Sequence, residues 1–288
     1  MAEEVELKLA LSSTAASCLL RHELLDAPPS RAWLSNTYYD TPQGALEAAR
    51  AALRIRRTPT GNLQTLKTVG SGTGGLSVRG EWEWEIEGEA LDLAGLADLP
   101  PMRALDATVL EALEPRFVTD FERCRWLLET EGASIEVALD QGSIHAAGQR
   151  VAINELELEL KRGKPAALWQ LAQTLAERVP LRPSIASKAE RGAALCKSQW
   201  QYLALENQNE STSARVDHAS RMLDIHRDTQ QPCFLAKAID IYESLAKANG
   251  LSAGTRHHAG VLAAMLMQPD WLTAPFGQHS LSLQRTIL

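Results

Sequence analysis

Four segments of this chain alternate between apolar and charged residues, and within each the charges are nearly all of one sign. They are Glu4-Val5-Glu6-Leu7-Lys8-Leu9, Leu53-Arg54-Ile55-Arg56, Glu81-Trp82-Glu83-Trp84-Glu85-Ile86 and Glu155-Leu156-Glu157-Leu158-Glu159-Leu160. A period of two marks a β-strand, whose successive side chains point to opposite faces. One face therefore carries Glu4, Glu6 and Lys8 on the first strand, Arg54 and Arg56 on the second, Glu81, Glu83 and Glu85 on the third, and Glu155, Glu157 and Glu159 on the last. The plainest arrangement, an open antiparallel sheet with its charges in water, suits any one of these strands but not the set. Like charges directly opposite across strands are destabilising, so three acidic strands need basic strands among them. Solvation also leaves Trp82, Trp84 and Ile86 unexplained on the other face. The set points to a closed or nearly closed sheet turned inside out, with its apolar face under helices and its charged face lining a lumen.

A lumen lined by carboxylates alone is untenable, because crowded like charges raise their own pKa values and take up protons. Metal cations on the acids, and a polyanion held by the interleaved Arg and Lys, relieve the crowding. That pairing implies a small polyanionic substrate carried with a divalent metal. Triphosphate or polyphosphate with Mg2+ or Mn2+ fits, since hard oxygen ligands suit hard cations.

The rest of the chain falls into two zones. Residues 1–200 carry 22 of the 29 basic and 28 of the 36 acidic residues but only two histidines. Residues 201–288 carry seven basic and eight acidic residues and five of the seven histidines. The polar stretch Glu206-Asn207-Gln208-Asn209-Glu210-Ser211-Thr212-Ser213 reads as a linker. In the first zone further strands are expected around 34–39, 63–69, 117–130, 134–139 and 144–153, with a glycine-rich loop at Gly70–Gly75 and a hairpin turn at Asp140-Gln141-Gly142. Helices are expected at about 13–26, 165–178 and 187–197, and the second zone reads as wholly helical, near 213–228, 233–248 and 255–267.

Composition excludes several classes. A net charge of −7 gives no global attraction to nucleic acid or to an anionic membrane. No apolar run approaches the roughly 18–20 residues needed to span a bilayer. Cys18, Cys124, Cys196 and Cys233 are widely separated and form no metal-ligand spacing. With an acidic N-terminus unlike a signal peptide, they read as free thiols in a reducing cytoplasm.

At this point the residues resemble a known family. Glu4-Val5-Glu6-Leu7-Lys8 is an ExExK motif, and in order after it come Tyr39-Asp40-Thr41-Pro42, the paired arginines of Leu53–Arg56, Thr65-Leu66-Lys67 and Arg79-Gly80-Glu81-Trp82-Glu83. Then follow Phe117–Arg123, Ala138–Gly142, Glu155–Leu160 and Ser187-Lys188-Ala189-Glu190-Arg191-Gly192. Over about residues 1–200 the chain resembles the CYTH superfamily, the triphosphate tunnel metalloenzymes, and within it the bacterial inorganic triphosphatases. The resemblance implies an α+β fold, an eight-stranded antiparallel β-barrel (the triphosphate tunnel) with surrounding helices, followed by a small all-α region at 201–288. It implies metal-dependent hydrolysis of tripolyphosphate with Mg2+ or Mn2+. It implies metal ligation by Glu4, Glu6, Asp140, Glu155, Glu157 and Glu159, and substrate binding by Arg54, Arg56, Lys67, Glu83, Arg123, Arg125 and Lys188. Lys8 would act with Glu4 and Glu6 in catalysis, close to the attacked terminal phosphate.

Within that family thiamine triphosphatases, nucleoside and RNA 5′-triphosphatases and class IV adenylyl cyclases share the tunnel, and a non-catalytic polyphosphate-binding module stands beside them. RNA is disfavoured by the charge balance. Thiamine would want an aromatic platform, for which Trp33 is the candidate. Inorganic triphosphate is the default because nothing marks an organic leaving group. The helical region is too small for the histidine-rich domain that often follows such tunnels. Its histidines read singly as surface or packing residues, and His257 and His258, being adjacent, are not expected to share a helix face. The long helices leave room for a homodimer without specifying one.

Overall fold

The computed structural model describes residues 2–58, 60–68, 70, 72–130, 132–200 and 210–287. Residues 206–209 of the expected linker lie outside that set, while Ser211 caps the helix that follows by accepting a bond from the Ala214 amide.

Among the described residues nine strands are present: β1 (Ala2–Leu11), β2 (Ser30–Asp40), β3 (Ala51–Thr58), β4 (Gly61–Thr68), β5 (Leu76–Ile86), β6 (Glu114–Thr130), β7 (Ala133–Ala146), β8 (Gln149–Arg162) and β9 (Leu181–Pro183). They are hydrogen-bonded in the order β5-β4-β3-β2-β6-β7-β8-β1, and β5 returns to pair with β1. The eight strands thus close an antiparallel barrel, as the charge alternation requires. The short β9 pairs with β1 at Leu9–Leu11, beyond the reach of β5. Closure removes every edge that a sheet of this length would otherwise expose.

The apolar alternates face outward. Leu7, Leu9, Val137, Leu139, Leu156 and Leu158 are fully buried beneath α1 (Ala15–Leu19) and α6 (Ala166–Ala176), which contribute Leu19, Leu168, Ala172 and Leu175. On the other side Leu53, Leu66, Trp82 and Trp84 pack under the short helices α2 (Ala45–Ala48), α3 (Leu93–Ala97), α4 (Pro100–Arg103) and α5 (Thr108–Glu111). The expected helix at 13–26 is α1 followed by a separate 3-10 turn, Glu23–Leu25. A third cluster lies on the inner face of the barrel: Leu34, Tyr38, Phe117, Phe121, Ile144 and Ile153, packed against Ala189 and Leu195 of α7 (Lys188–Lys197). Helix α7 begins with a capping box in which Ser187 and Glu190 satisfy each other's backbone amides. It lies so close to the barrel wall that a Cβ on Gly192 would fall 2.1 Å from the Phe117 ring. This helix stoppers part of the lumen with apolar packing.

The sequence expectation of a turn at Asp140-Gln141-Gly142 is corrected here. All three residues lie inside β7, with Asp140 opposite Arg123 on one side and Glu155 on the other. Gly142 is required by close approach of β6, since a Cβ would fall 2.1 Å from the Asp120 carbonyl oxygen. The true hairpin turn is Ala147-Gly148, both at positive φ, between the paired Ala146 and Gln149.

Beyond the barrel, α8 (Thr212–Thr229), α9 (Pro232–Lys247), α10 (Ala253–Leu266) and α11 (Ala274–Ile287) form a bundle about Met222, Leu223, Tyr242, Leu245, Leu262, Phe276 and Leu283. Helix α11 was not foreseen: its Pro, Gly and polar residues obscure the apolar period. The bundle leans on the barrel. Leu281 joins the barrel's outer core, and the carboxylate of Asp217 accepts a bond from the Gly74 amide at 2.8 Å. The buried Asp224 accepts from Arg182 at 2.7 Å, from the Ser184 hydroxyl at 2.9 Å and from the amides of Ile185 and Ala186.

Candidate active site

Strand register decides which lumen charges meet. On the β1–β8 pair, Lys8 is opposite Glu157 and Glu6 opposite Glu159; across β1–β5, Glu4 is opposite Arg79. Across β4–β5, Lys67 is opposite Glu81 and Thr65 opposite Glu83. Arg54 is opposite Thr65 on one side and Tyr38 on the other. The charged alternates of every strand are therefore brought onto one inner surface.

Asp140, Glu155 and Glu157 form one acidic centre, their carboxylate oxygens converging within 4.8 Å of one another. Lys188, at the start of α7, reaches all three: Asp140 at 2.7 Å, Glu157 at 3.0 Å, and Glu155. Arg123 forks onto Asp140 through Nε at 2.7 Å and a terminal nitrogen at 2.6 Å, and also bonds Glu157. Burial would raise the Glu157 carboxyl, but Lys188, Arg123 and Lys8 hold it well below the usual range. The converse holds for Lys188: burial opposes its charge, yet Asp140, Glu155 and Glu157 keep it protonated well above an ordinary lysine.

Glu4 and Glu6 form a neighbouring centre. Glu4 accepts from Lys67 at 2.8 Å and from Arg79 at 2.8 Å; Arg79 also reaches Glu6 at 2.8 Å, and Lys8 pairs with Glu6 at 3.2 Å. Against the penalty of burial, Lys67 and Arg79 bring the Glu4 pKa to about 2. Lys8 is buried, which alone would lower its pKa, but Glu6, Glu157 and Glu155 raise it above the ordinary value.

Arg54 and Arg56, side by side on β3, differ from every other lumen base: among the described residues no carboxylate lies within ion-pair distance of either. Arg56 Nε donates to the Asn36 amide oxygen at 3.0 Å, and Arg54 Nε is buried without a partner. Burial, then repulsion from Arg54 and Arg123, drives the Arg56 pKa down to about 10. Crowded guanidiniums lacking counter-charge are a binding surface for an anion with several oxygens.

Other expected residues stand at the periphery. Arg125 is about half exposed and only 3.8 Å from Glu136. Glu159 pairs with Lys161 at 2.6 Å. Its carboxyl is pushed up, first by burial and then by Glu4 and Glu136, with Lys161 opposing. Glu83 is exposed and accepts from Thr65 at 2.8 Å. Trp33 is 61% exposed on the outer side of β2 and supplies no platform in the lumen. The inner aromatics include Tyr38 and Phe117, stacked at 4.5 Å, and Phe121, over whose ring Arg123 and Lys188 lie.

Sequence reasoning missed Arg79, Arg191 and Asn36. Arg79 had a signal, as a base beside an acidic strand. Arg191 is 1% exposed and ties Glu155 to Asp228 of α8. Nothing local in the sequence marks Asn36, whose role depends on the β2–β3 register.

The donor chemistry of both acidic centres suits a hard divalent cation. They offer carboxylate oxygens only, and the three around Lys188 already converge on one positive charge.

The CYTH domain model matches residues 2–193. An inorganic triphosphatase of Haemophilus influenzae is 38% identical over 210 residues, covering 69% of this chain and 57% of that protein. The chain thus spans little more than half the length of this relative. Among solved structures, a Hippeastrum protein whose description reports a dominant triphosphatase activity aligns over 71% of this chain and all of its own (21% identity, TM-score 0.48). The PH1819 protein of Pyrococcus horikoshii aligns over 64% of this chain and 94% of its own, with 20% identity and a TM-score of 0.42.

Proposed function

The chain belongs to the CYTH domain family, and from that premise we propose that it hydrolyses inorganic triphosphate to diphosphate and phosphate inside the barrel, with Mg2+ or Mn2+ as cofactor. One observation carries the reading: Arg54 and Arg56 face a lumen whose other bases are all engaged by acids. Two adjacent forks without counter-charge match the several non-bridging oxygens that a chain of phosphates offers.

The basic wall grips and aligns the substrate. Arg54 and Arg56 would take non-bridging oxygens along the chain, with Lys67, Arg123 and Lys188 adding charge from their present acidic partners. Asp140, Glu155 and Glu157, together with Glu4 and Glu6, would hold divalent metal. When bound, the metal supplies neutralisation of phosphate charge and acidification of a water. Lys8 is kept protonated by the acids around it, so its role is to stabilise charge developing on the terminal phosphoryl group rather than to abstract a proton. Asn36 holds the Arg56 fork in plane. Arg79 helps keep Glu4 ionised and orients Glu6 through their ion pairs. Glu83, Arg125 and Glu159 lie at the periphery of the inner surface and contribute to entry more than to chemistry. We assign this activity to residues 1–200 and a bracing role to 201–288, whose Asp224 and Asp228 hold β9 and α7 in place.

The test is phosphate release from tripolyphosphate, ATP and thiamine triphosphate, each with Mg2+, with Mn2+ and with excess EDTA. Tripolyphosphate should be turned over with the highest kcat/KM, and EDTA should abolish the reaction. Preference for an organic triphosphate would overturn the substrate, and turnover in EDTA would overturn the metal. Tight tripolyphosphate binding with no turnover under any condition would leave a binding module in place of an enzyme.

A further inference from the structure

Away from the lumen, α10 and α11 bring three histidines together. His257 and His258 are consecutive on α10, and His279 lies on α11. A strict face argument separates the first two. In the structure both rings nevertheless turn toward His279, with centroids 5.8 and 5.2 Å from it and 5.5 Å from each other. One nitrogen from each of the three lies within 4.8 Å of the other two.

The closest contact is informative. Nδ1 of His258 and Nδ1 of His279 are 3.0 Å apart. Two imidazole nitrogens at that distance share at most one proton, so one lone pair always points at the other ring's nitrogen. Two nitrogens bound to one tetrahedral ion at about 2.0–2.1 Å sit about 3.3 Å apart, close to this separation. His257 is exposed, so an ion has access and an open position for water.

We propose that His257, His258 and His279 form a binding site for a borderline divalent transition metal ion, Zn2+ or Ni2+ in kind, that ties α10 to α11. Imidazole ligands select such ions over Mg2+, whereas the carboxylates of the lumen favour hard cations. The two sites are thus chemically orthogonal in one chain. Helix α11 also rests on α6, the helix that covers the barrel, through Gln278 on the Ala176 carbonyl and Arg285 on Gln173. Metal binding would therefore stiffen the bundle at the face that supports the barrel.

The test is calorimetric titration of the full chain with Zn2+ in excess Mg2+, which occupies the carboxylate centres. Wild type should show one Zn2+ site and a Tm raised by Zn2+. His258→Asn and His279→Asn should each weaken that site by at least ~10-fold, as expected for losing one of three ligands, while His226→Ala leaves it unchanged. His257→Ala removes an exposed side chain, tests the site without disturbing packing, and should also weaken it. With Co2+ as the probe, the visible bands of a four-coordinate nitrogen site should appear in wild type and vanish in His279→Asn. Absence of a Zn2+ site in excess Mg2+, or identical Zn2+ affinity in wild type and all three cluster variants, would overturn the proposal.

Discussion

Arg56 shows how much a lumen side chain depends on what it lacks. Its guanidinium is buried, flanked by Arg54 and Arg123, and steadied by one bond to Asn36. An anion that takes its free donors recovers a charge-assisted contact worth about 1.5–3 kcal/mol. Arg56→Ala should therefore cost about 10–100-fold in kcat/KM for tripolyphosphate, expressed mainly in KM. Arg56→Lys should recover little, because an ammonium cannot fork across two oxygens or engage Asn36 in plane. Steady-state kinetics on the two variants checks both points; full rescue by lysine would argue against bidentate binding. The sequence made Arg54, Arg56 and the acids legible because alternation assigns a face without any knowledge of neighbours. It could not reveal that the acids are already paired while these two bases are not, since pairing depends on register across strands.

At the scale of elements, the least legible features are those set by long-range contact. Asp140–Gly142 has turn composition, yet it runs straight through β7 because Gly142 admits the β6 backbone and Asp140 is locked between Arg123 and Glu155. The contact of α8 with the barrel is equally non-local. Asp224 is fully buried and gathers Arg182 of β9 together with the Ser184 hydroxyl and two backbone amides from the segment that joins β9 to α7. Removing one partner of a buried pair costs about 3–5 kcal/mol, so Asp224→Ala should destabilise the protein by that order. Burial raises the Asp224 carboxyl, but Arg182, Arg227 and the amides of Ala186 and Ile185 hold it well below its usual 3.8. A depressed folded pKa means the carboxylate stabilises fully above that ordinary value and loses its effect only as pH falls through the folded one. Denaturant unfolding near neutrality and in strong acid should show the gap between wild type and Asp224→Ala narrowing on acidification. A gap that stays constant with pH would contradict the ion-pair account.

For the whole molecule, inversion of the barrel reconciles a net charge of −7 with the polyanionic substrate proposed above. Many of the acids face inward, where they share one surface with Lys8, Lys67, Arg123 and Lys188 and are balanced by them. The sum over the chain speaks to encounters at its surface and is silent about the lumen. Closure of the sheet was legible from the alternation, and the helical nature of residues beyond 210 from their period. The way the bundle packs on the barrel was not, because a few residues dispersed along the chain, Asp217, Asp224 and Leu281 among them, make that contact. The central claim is a division of labour between two walls, acids for metal and paired arginines for phosphate. Its most direct test is to measure, for Glu157→Gln and Arg56→Ala side by side, tripolyphosphate turnover with Mg2+ and tripolyphosphate affinity by calorimetry. The account predicts that Glu157→Gln loses most of kcat while still binding tripolyphosphate, and that Arg56→Ala loses affinity while keeping much of kcat at saturation. Full turnover in Glu157→Gln, or undiminished affinity in Arg56→Ala, would contradict it.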